Sequence, residues 1–159
     1  MNKSISTTTS KSYSEKFLDD FLILLQSIDL QAVERIISQF RNARLRKATI
    51  YIAGNGGSAA TASHWVNDLG KGTKSASSTP FRVQSLSDNV SWLTAIANDE
   101  DYKNVFSGQL ENFADEDDIL VVISASGNSP NLLEVVSKAK THGVRTIALL
   151  GFDGGILKK

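Results

Sequence analysis

Residues 48–58, ATIYIAGNGGS, decide the fold, because a short β-branched apolar run stops abruptly at a glycine-rich turn. An apolar run bounded by turn residues is typical of a buried strand. The residues after the turn, about 58–70, follow a helical pattern. The stretch therefore predicts a strand, a turn and a helix, which together form the first half of a βαβ unit.

Three further apolar runs repeat this arrangement. They cover residues 81–86, 118–124 and 144–151, and helical patterns separate them at about 88–111, with a break near Asn98, and at 130–142. Strands alternating with helices indicate a parallel sheet, and the runs ILVVI and IALL barely alternate, as expected for strands covered on both faces. We predict the α/β class: a three-layer αβα sandwich around a parallel, flavodoxin-like sheet of order 2-1-3-4.

A segment of a different kind precedes this sheet. Apolar residues recur at three- and four-residue spacing from Tyr13 to about Arg44, which predicts two helices, with Asp29 as the N-cap of the second. The predicted organisation is a disordered polar tail (1–12), N-terminal helices (13–44) and the α/β domain (45–159). The apolar stripe of the helical hairpin indicates packing either between subunits, as an oligomerisation element, or on the chain's own sheet.

The composition excludes several classes of protein. Lysine plus arginine equals aspartate plus glutamate, 17 each, so no basic surplus indicates nucleic-acid binding. No apolar stretch is long enough to span a membrane, and the first residues lack the apolar core of a secretory signal. The sequence has no cysteine, which leaves any metal to His, Asp, Glu or Gln. We expect a cytoplasmic protein.

Two loops predict an anion site. GNGGS (54–58) and SASGNSP (124–130) follow the first and third strands, which are neighbours where the strand order reverses. Both loops run into helices, whose free N–H groups and dipole favour anions. Gly56 and Gly57 allow close backbone approach, and Ser124, Ser126 and Ser129 can place three hydroxyls around one phosphate. Tight turning, or an N-cap role for Ser129 before Pro130, would explain either loop alone, but two loops at one crevice favour a phosphate.

The loops do not indicate a nucleotide. GNGGSA fits the dinucleotide pattern G-x-G-x-x-A formally, but the acidic residue expected about 20 positions further on is missing, since residues 75–79 are SASST. No Gly-Lys-Ser/Thr closes the turn, so the P-loop pattern fails as well. A smaller phosphorylated ligand remains.

His64 and Asp68 are four residues apart, which places them on one face of the helix after the first loop. They can share a divalent metal, Asp68 can act as a general base, or the two can form an ordinary surface pair. Asn98 and Asp99, in NDEDY (98–102), are expected at a helix break beside the crevice, or else simply end a helix. His142, at a helix end, is interpreted as structural.

Four motifs in order resemble the sugar isomerase (SIS) domain, and more closely the phosphoheptose isomerase family. They are GNGGSAATASHWVNDLGKG (54–72), SLSDNVSWLTAIANDEDY (85–102), SASGNSPNLLEVV (124–136) and VRTIALLGFDGG (144–155). The resemblance implies interconversion of sedoheptulose 7-phosphate and a D-glycero-heptose 7-phosphate for surface-carbohydrate biosynthesis. It also implies zinc assistance and a homotetramer.

The resemblance also implies roles for individual residues. Those lining the sugar phosphate or contacting the substrate would be Gly56, Gly57, Ser58, Asn98 and Asp99. The phosphate cradle would be Ser124, Ala125, Ser126 and Ser129. His64 would be a metal ligand, and Asp68 falls where the family places its catalytic, metal-binding glutamate.

Two departures from the family bear on activity. Asp68 is one methylene shorter than the glutamate, and a base must lie within about 3 Å of its proton, so the shorter side chain alters proton transfer. The family's C-terminal strand and helix, with a glutamine and a histidine that complete the metal site and supply the second acid/base group, are expected to be missing from this chain. The alternative function is a non-catalytic SIS module that binds a sugar phosphate, as a regulator or a replication-initiation assembly factor.

Overall fold

The computed structural model describes residues 10–76 and 79–159. The helices are α1 (Ser10–Gln26), α2 (Leu30–Arg46), α3 (Gly57–Asn67), α4 (Val90–Asp99), α5 (Ser107–Phe113) and α6 (Pro130–Thr141). The strands are β1 (Thr49–Gly54), β2 (Arg82–Ser85), β3 (Ile119–Ser124) and β4 (Arg145–Leu150). A π-helical turn (Asp68–Gly72) follows α3, and short 3-10 turns cover Tyr102–Asn104 and Ile156–Lys158. The predicted strands and the break after Asn98 are confirmed.

The four strands form one parallel sheet in the order β2-β1-β3-β4, which confirms the predicted order. Strand β1 pairs with β2 on one side and with β3 on the other. Gly54, the last residue of β1, lies opposite Ile123 of β3. The loops that leave these two central strands therefore start side by side.

Alternate side chains of the central strands enter two separate cores, because successive residues of a strand point to opposite faces. Ile50 and Ile52 pack into one core, together with Ala62 of α3. Tyr51 and Ala53 pack into the other core, whose members include residues of α4, α5 and α6. All six residues of β1 are buried. These two cores confirm the predicted three-layer arrangement.

The chain divides into two compact units after Arg35. In the first unit, α1 begins at Ser10, earlier than the predicted Tyr13, and residues 1–9 of the predicted tail lie outside the described residues. Asp29 is the N-cap of α2, as predicted, since its Oδ1 accepts hydrogen bonds from the backbone N–H groups of Gln31 (2.9 Å) and Ala32 (3.1 Å). These bonds, chiefly the one from Ala32, hold the pKa of the Asp29 carboxyl below its ordinary value.

Helix α1 exposes a series of large apolar side chains, which include Tyr13, Phe17, Leu18, Phe21, Leu22 and Leu25. The rings of Phe17 and Phe21 stack with centroids 6.2 Å apart. These side chains belong to the apolar stripe that the helical spacing predicts. Among the described residues, no helix combines the length and the apolar character that crossing a membrane requires.

Candidate functional site

A cavity of about 220 Å³ lies between the loops that follow β1 and β3. We call residues 54–58 the glycine loop and residues 124–130 the serine loop. The cavity is lined by Asn55, Ser58, Ile123, Ser124, Ala125, Ser126, Ser129, Leu132 and Phe152. Four of these nine residues are serines and none is charged. The crevice predicted at the reversal of strand order is therefore present, and its polar lining is dominated by hydroxyl groups.

The serine loop organises its own hydroxyl groups. Ser124 Oγ accepts a hydrogen bond from the backbone N–H of Gly127 (3.0 Å), and Ser126 Oγ accepts one from Asn128 (3.3 Å). Because a hydroxyl that accepts a bond still has its own O–H to donate, both serines remain donors. Ser129 is the N-cap residue of α6, but its side chain makes no capping hydrogen bond. The predicted N-cap position is correct, and the hydroxyl is left for a ligand.

Residues 151–157 hold the serine loop by hydrogen bonds from their backbone N–H groups. The backbone N–H of Gly151 donates to Ser124 O (3.0 Å), that of Leu157 donates to Gly127 O (3.0 Å), and that of Ile156 donates to Asn128 Oδ1 (2.9 Å). Gly127 has φ +64°, and a Cβ added there would lie 2.0 Å from the carbonyl oxygen of Gly154. The serine loop is therefore held close to Gly154 by a main-chain contact at Gly127 that only glycine permits.

The glycine loop contributes to the cavity through Asn55 and Ser58, whereas Gly56 and Gly57 are not among its lining residues. Gly56 is the N-cap of α3 with φ +55°, and a Cβ at Gly56 or Gly57 would meet nothing within 4 Å. Gly54 is the sterically constrained glycine, because a Cβ there would lie 2.7 Å from the backbone of Ser58. The open space over Gly56 and Gly57 leaves their backbone accessible to a ligand.

His64 and Asp68 form the predicted pair, with Nε2 of His64 3.3 Å from Oδ2 of Asp68. Both side chains are exposed, and neither lines the cavity. Asp68 lies eleven residues after Gly57, at the C-terminal end of α3, which is about 16 Å along the helix axis. In the described part of the chain, no group of three or more His, Cys, Asp or Glu side chains is placed to hold a metal. The pair itself consists of one imidazole and one carboxylate, and zinc accepts both kinds of side chain.

Asn98 and Asp99 lie at the end of α4, at the predicted helix break, where Asn98 Nδ2 donates to Asp99 Oδ1 (2.8 Å). A second cavity, of about 320 Å³, borders the next residues of the chain. It is lined by Asn55, Asp101, Tyr102, Lys103, Ser129, Pro130 and Asn131. The residues of this segment that reach the cavities are therefore those just after Asn98 and Asp99.

Sequence reasoning missed three residues at the crevice. Asn55 lines both cavities, Asn131 lines the second, and Phe152 lines the first with 92% of its surface exposed and a φ of +47°. Asn55 stands inside the glycine loop, so its neighbours were a sufficient signal. Asn131 and Phe152 lie outside the recognised turns, and only the fold brings them to the site.

The sequence of residues 16–151 matches the SIS domain family. The chain is 41% identical over 141 residues to a phosphoheptose isomerase from Helicobacter pylori (strain Shi470), which covers 89% of this chain and 71% of that protein. It is 37% identical over 145 residues to a probable phosphoheptose isomerase from Thermoplasma acidophilum, which covers 91% of this chain and 79% of the relative.

Solved structures give the same family. A phosphoheptose isomerase from Francisella tularensis superposes with a TM-score of 0.83 at 27% identity and covers 94% of this chain and 79% of that one. The Neisseria gonorrhoeae phosphoheptose isomerase gives a TM-score of 0.82 at 30% identity, with coverages of 93% and 78%.

Proposed function

The chain belongs to the phosphoheptose isomerase family of SIS domain proteins, and on that premise we propose that it isomerises sedoheptulose 7-phosphate to a D-glycero-heptose 7-phosphate. The product would enter surface-carbohydrate biosynthesis in the cytoplasm, where phosphorylated sugars are made. The observation that carries the proposal is the uncharged cavity lined by four serines beside the N-terminus of α6. Hydroxyl donors at a helix N-terminus bind a phosphate group, and the absence of a carboxylate from the lining removes repulsion.

In the proposed reaction, the serine loop anchors the phosphate and leaves the carbonyl end of the sugar free. The carboxylate of Asp68 removes a proton from C1 of the ketose, which gives an enediol, and the proton is returned to C2 to give the aldose. The hydroxyl proton moves between the two oxygens in the same step. Zinc, when bound at His64 and Asp68, would polarise the neighbouring sugar oxygens.

The distance along α3 favours an assembly in which one copy completes the site of another. Asp68, about 16 Å from the start of α3, stands away from the cavity of its own chain. We therefore infer a homotetramer, supported by the exposed apolar side chains of α1.

A complementation experiment tests the shared site. An Asp68→Asn chain and a chain with both Ser126→Ala and Ser129→Ala are each expected to be inactive alone, and refolding them together should restore turnover. Turnover that stays absent in a well-formed mixed oligomer would contradict shared sites.

The zinc proposal predicts that His64→Ala lowers zinc affinity by about tenfold or more, because it removes one of the two side-chain ligands. Competition with a chromophoric zinc chelator measures this without any substrate. His142→Ala is the matched control, since this other histidine contacts Lys138 O and Thr141 at the end of α6. Equal zinc affinity in the wild type and both variants would exclude His64 as a ligand.

Exchange in D2O tests the function directly. The protein is incubated with sedoheptulose 7-phosphate, with and without zinc, and proton NMR follows the sugar. Isomerisation is expected to produce a new heptose signal with deuterium at C2. Saturable binding without exchange would instead favour the non-catalytic SIS module, an alternative supported by the shorter carboxylate arm of Asp68 and its separation from the cavity.

A further inference from the structure

The glycine loop and the start of α6 are joined by a reciprocal pair of amide hydrogen bonds. Asn55 Nδ2 donates to Asn131 Oδ1 (2.9 Å), and Asn131 Nδ2 donates to Asn55 Oδ1 (2.9 Å). Asn131 is only 2% exposed, so its side of the pair is shielded from water. Two parallel bonds between planar amides fix the orientation of both groups as well as their separation.

Tyr102 adds a third segment to this junction. Its Oη donates to Asn55 Oδ1 (3.2 Å), so that oxygen accepts two hydrogen bonds. Tyr102 belongs to the 3-10 turn that follows α4. The Asn55 side chain therefore connects the glycine loop, the first turn of α6 and the segment that contains Asn98 and Asp99, and it lines both cavities.

We propose that Asn131 is a positioning residue for the isomerase reaction: by holding the amide of Asn55 it fixes the glycine loop relative to the serine loop. The proposal rests on the proposed function. Each amide nitrogen has two N–H donors and uses one in the pair, so the amide of Asn55, a residue that lines the cavity, keeps a second N–H outside the pair. Asn131 settles which way that donor points.

Asn131→Asp is the sharpest variant, because it keeps size and shape and removes the donor. The new carboxylate still accepts from Asn55 Nδ2, but its other oxygen faces Asn55 Oδ1 without a proton between them. The amide of Asn55 must then turn or withdraw, and the glycine loop moves with it. The serine hydroxyl groups that hold the phosphate stay in place, since Asn131 does not line that cavity. Asn131→Ala, which adds no charge, separates the loss of the donor from repulsion between the new carboxylate and the phosphate.

The expected kinetic result is a split between chemistry and anchoring. Asn131→Asp should lower kcat at least about tenfold, because misplacement of reacting groups lowers the rate of the chemical step. The uncharged Asn131→Ala should lower kcat likewise, while its KM and its Kd for inorganic phosphate stay within about threefold of the wild type. Asp118→Asn is the control. Asp118 is 4% exposed and accepts hydrogen bonds from the backbone N–H groups of Thr49 (2.7 Å) and Asp115 (3.0 Å). It lies where β1 and β3 begin, at the opposite end of these strands from the two loops, so it tests destabilisation alone. Equal kcat values per folded protein in Asn131→Asp and Asp118→Asn would overturn the proposal.

A second variant covers the case in which Asn131→Asp does not fold. A mutant cycle consists of Asn131→Ala, Asn55→Ala and the double variant. The double variant should lose no more kcat than the more strongly impaired single variant, because both substitutions break the same pair of hydrogen bonds. Losses of transition-state free energy that add up in the double variant would overturn the proposal.

A failure of the proposed function and a failure of the positioning role give different results. If the wild type turns over no sugar, the isomerase proposal fails by itself. The positioning role then predicts that Asn131→Ala shifts the backbone amide NMR signals of the glycine loop, because the amide of Asn55 loses its partner. Unchanged glycine-loop signals would overturn the positioning role.

Discussion

Asp68→Asn is expected to lower the rate of C2 deuterium exchange by about 10²–10⁴-fold, because an amide cannot accept the proton that a general base removes. The variant keeps the size of the side chain and leaves an oxygen near His64 Nε2, which lies 3.3 Å from Asp68 Oδ2. The fold should be unchanged, since the aspartate is exposed. The measurement is exchange in D2O, followed by NMR at saturating sugar phosphate.

Glu111→Gln is the matched control for this change. Glu111 is an exposed carboxylate that pairs with Lys138 (3.0 Å) on another face of the molecule, so its neutralisation should leave the exchange rate unaltered. Asp68→Glu supplies the opposite test, because the added methylene restores the arm length of the family's glutamate and should preserve or raise the rate. An Asp68→Asn protein that exchanges at the wild-type rate would remove Asp68 from the mechanism.

Gly127→Ala has the largest expected effect on stability, a loss of about 3 kcal/mol in the free energy of unfolding. The methyl group would stand 2.0 Å from Gly154 O, in a backbone conformation with φ +64° that alanine rarely adopts. Residues 151–157 would have to move away from the serine loop, so phosphate affinity should fall as well. Urea denaturation and phosphate titration measure the two effects.

Gly56→Ala separates the two causes. Gly56 also has a positive φ, +55°, with ψ −121°, but a Cβ there meets nothing within 4 Å. Its substitution should therefore cost less than that of Gly127, about 2 kcal/mol, which comes from backbone strain alone. If both variants lose the same stability, the contact between Gly127 and Gly154 does not hold the serine loop.

The α/β class and the positions of the glycine and serine loops could be predicted because each depends on local pattern. Apolar runs such as ILVVIS predict buried strands without reference to any neighbour. Glycine and serine after those strands indicate an anion site by their own chemistry. Here sequence reasoning and the fold agree.

The junction around Asn55 could not be predicted, because its bonds join residues far apart in the chain. Asn131 lies 76 positions after Asn55, and although it falls within SASGNSPNLLEVV (124–136), no local pattern indicates that its side chain pairs with Asn55. The same holds for residues 151–157, whose main-chain bonds to the serine loop depend on β4 lying beside β3. The spacing of His64 and Asp68 predicted their pairing but not their distance from the cavity.

The central position of β1 has a dynamic consequence. Its amides are released only when β1 parts from both β2 and β3, so its opening free energy approaches that of global unfolding. Strands β2 and β4, at the two ends of the sheet, can fray at lower cost. Strand β3, which is also paired on both sides, is protected in the same way. The glycine loop therefore follows one of the two slowest-opening strands, and local fraying of β2 or β4 leaves β1 in place.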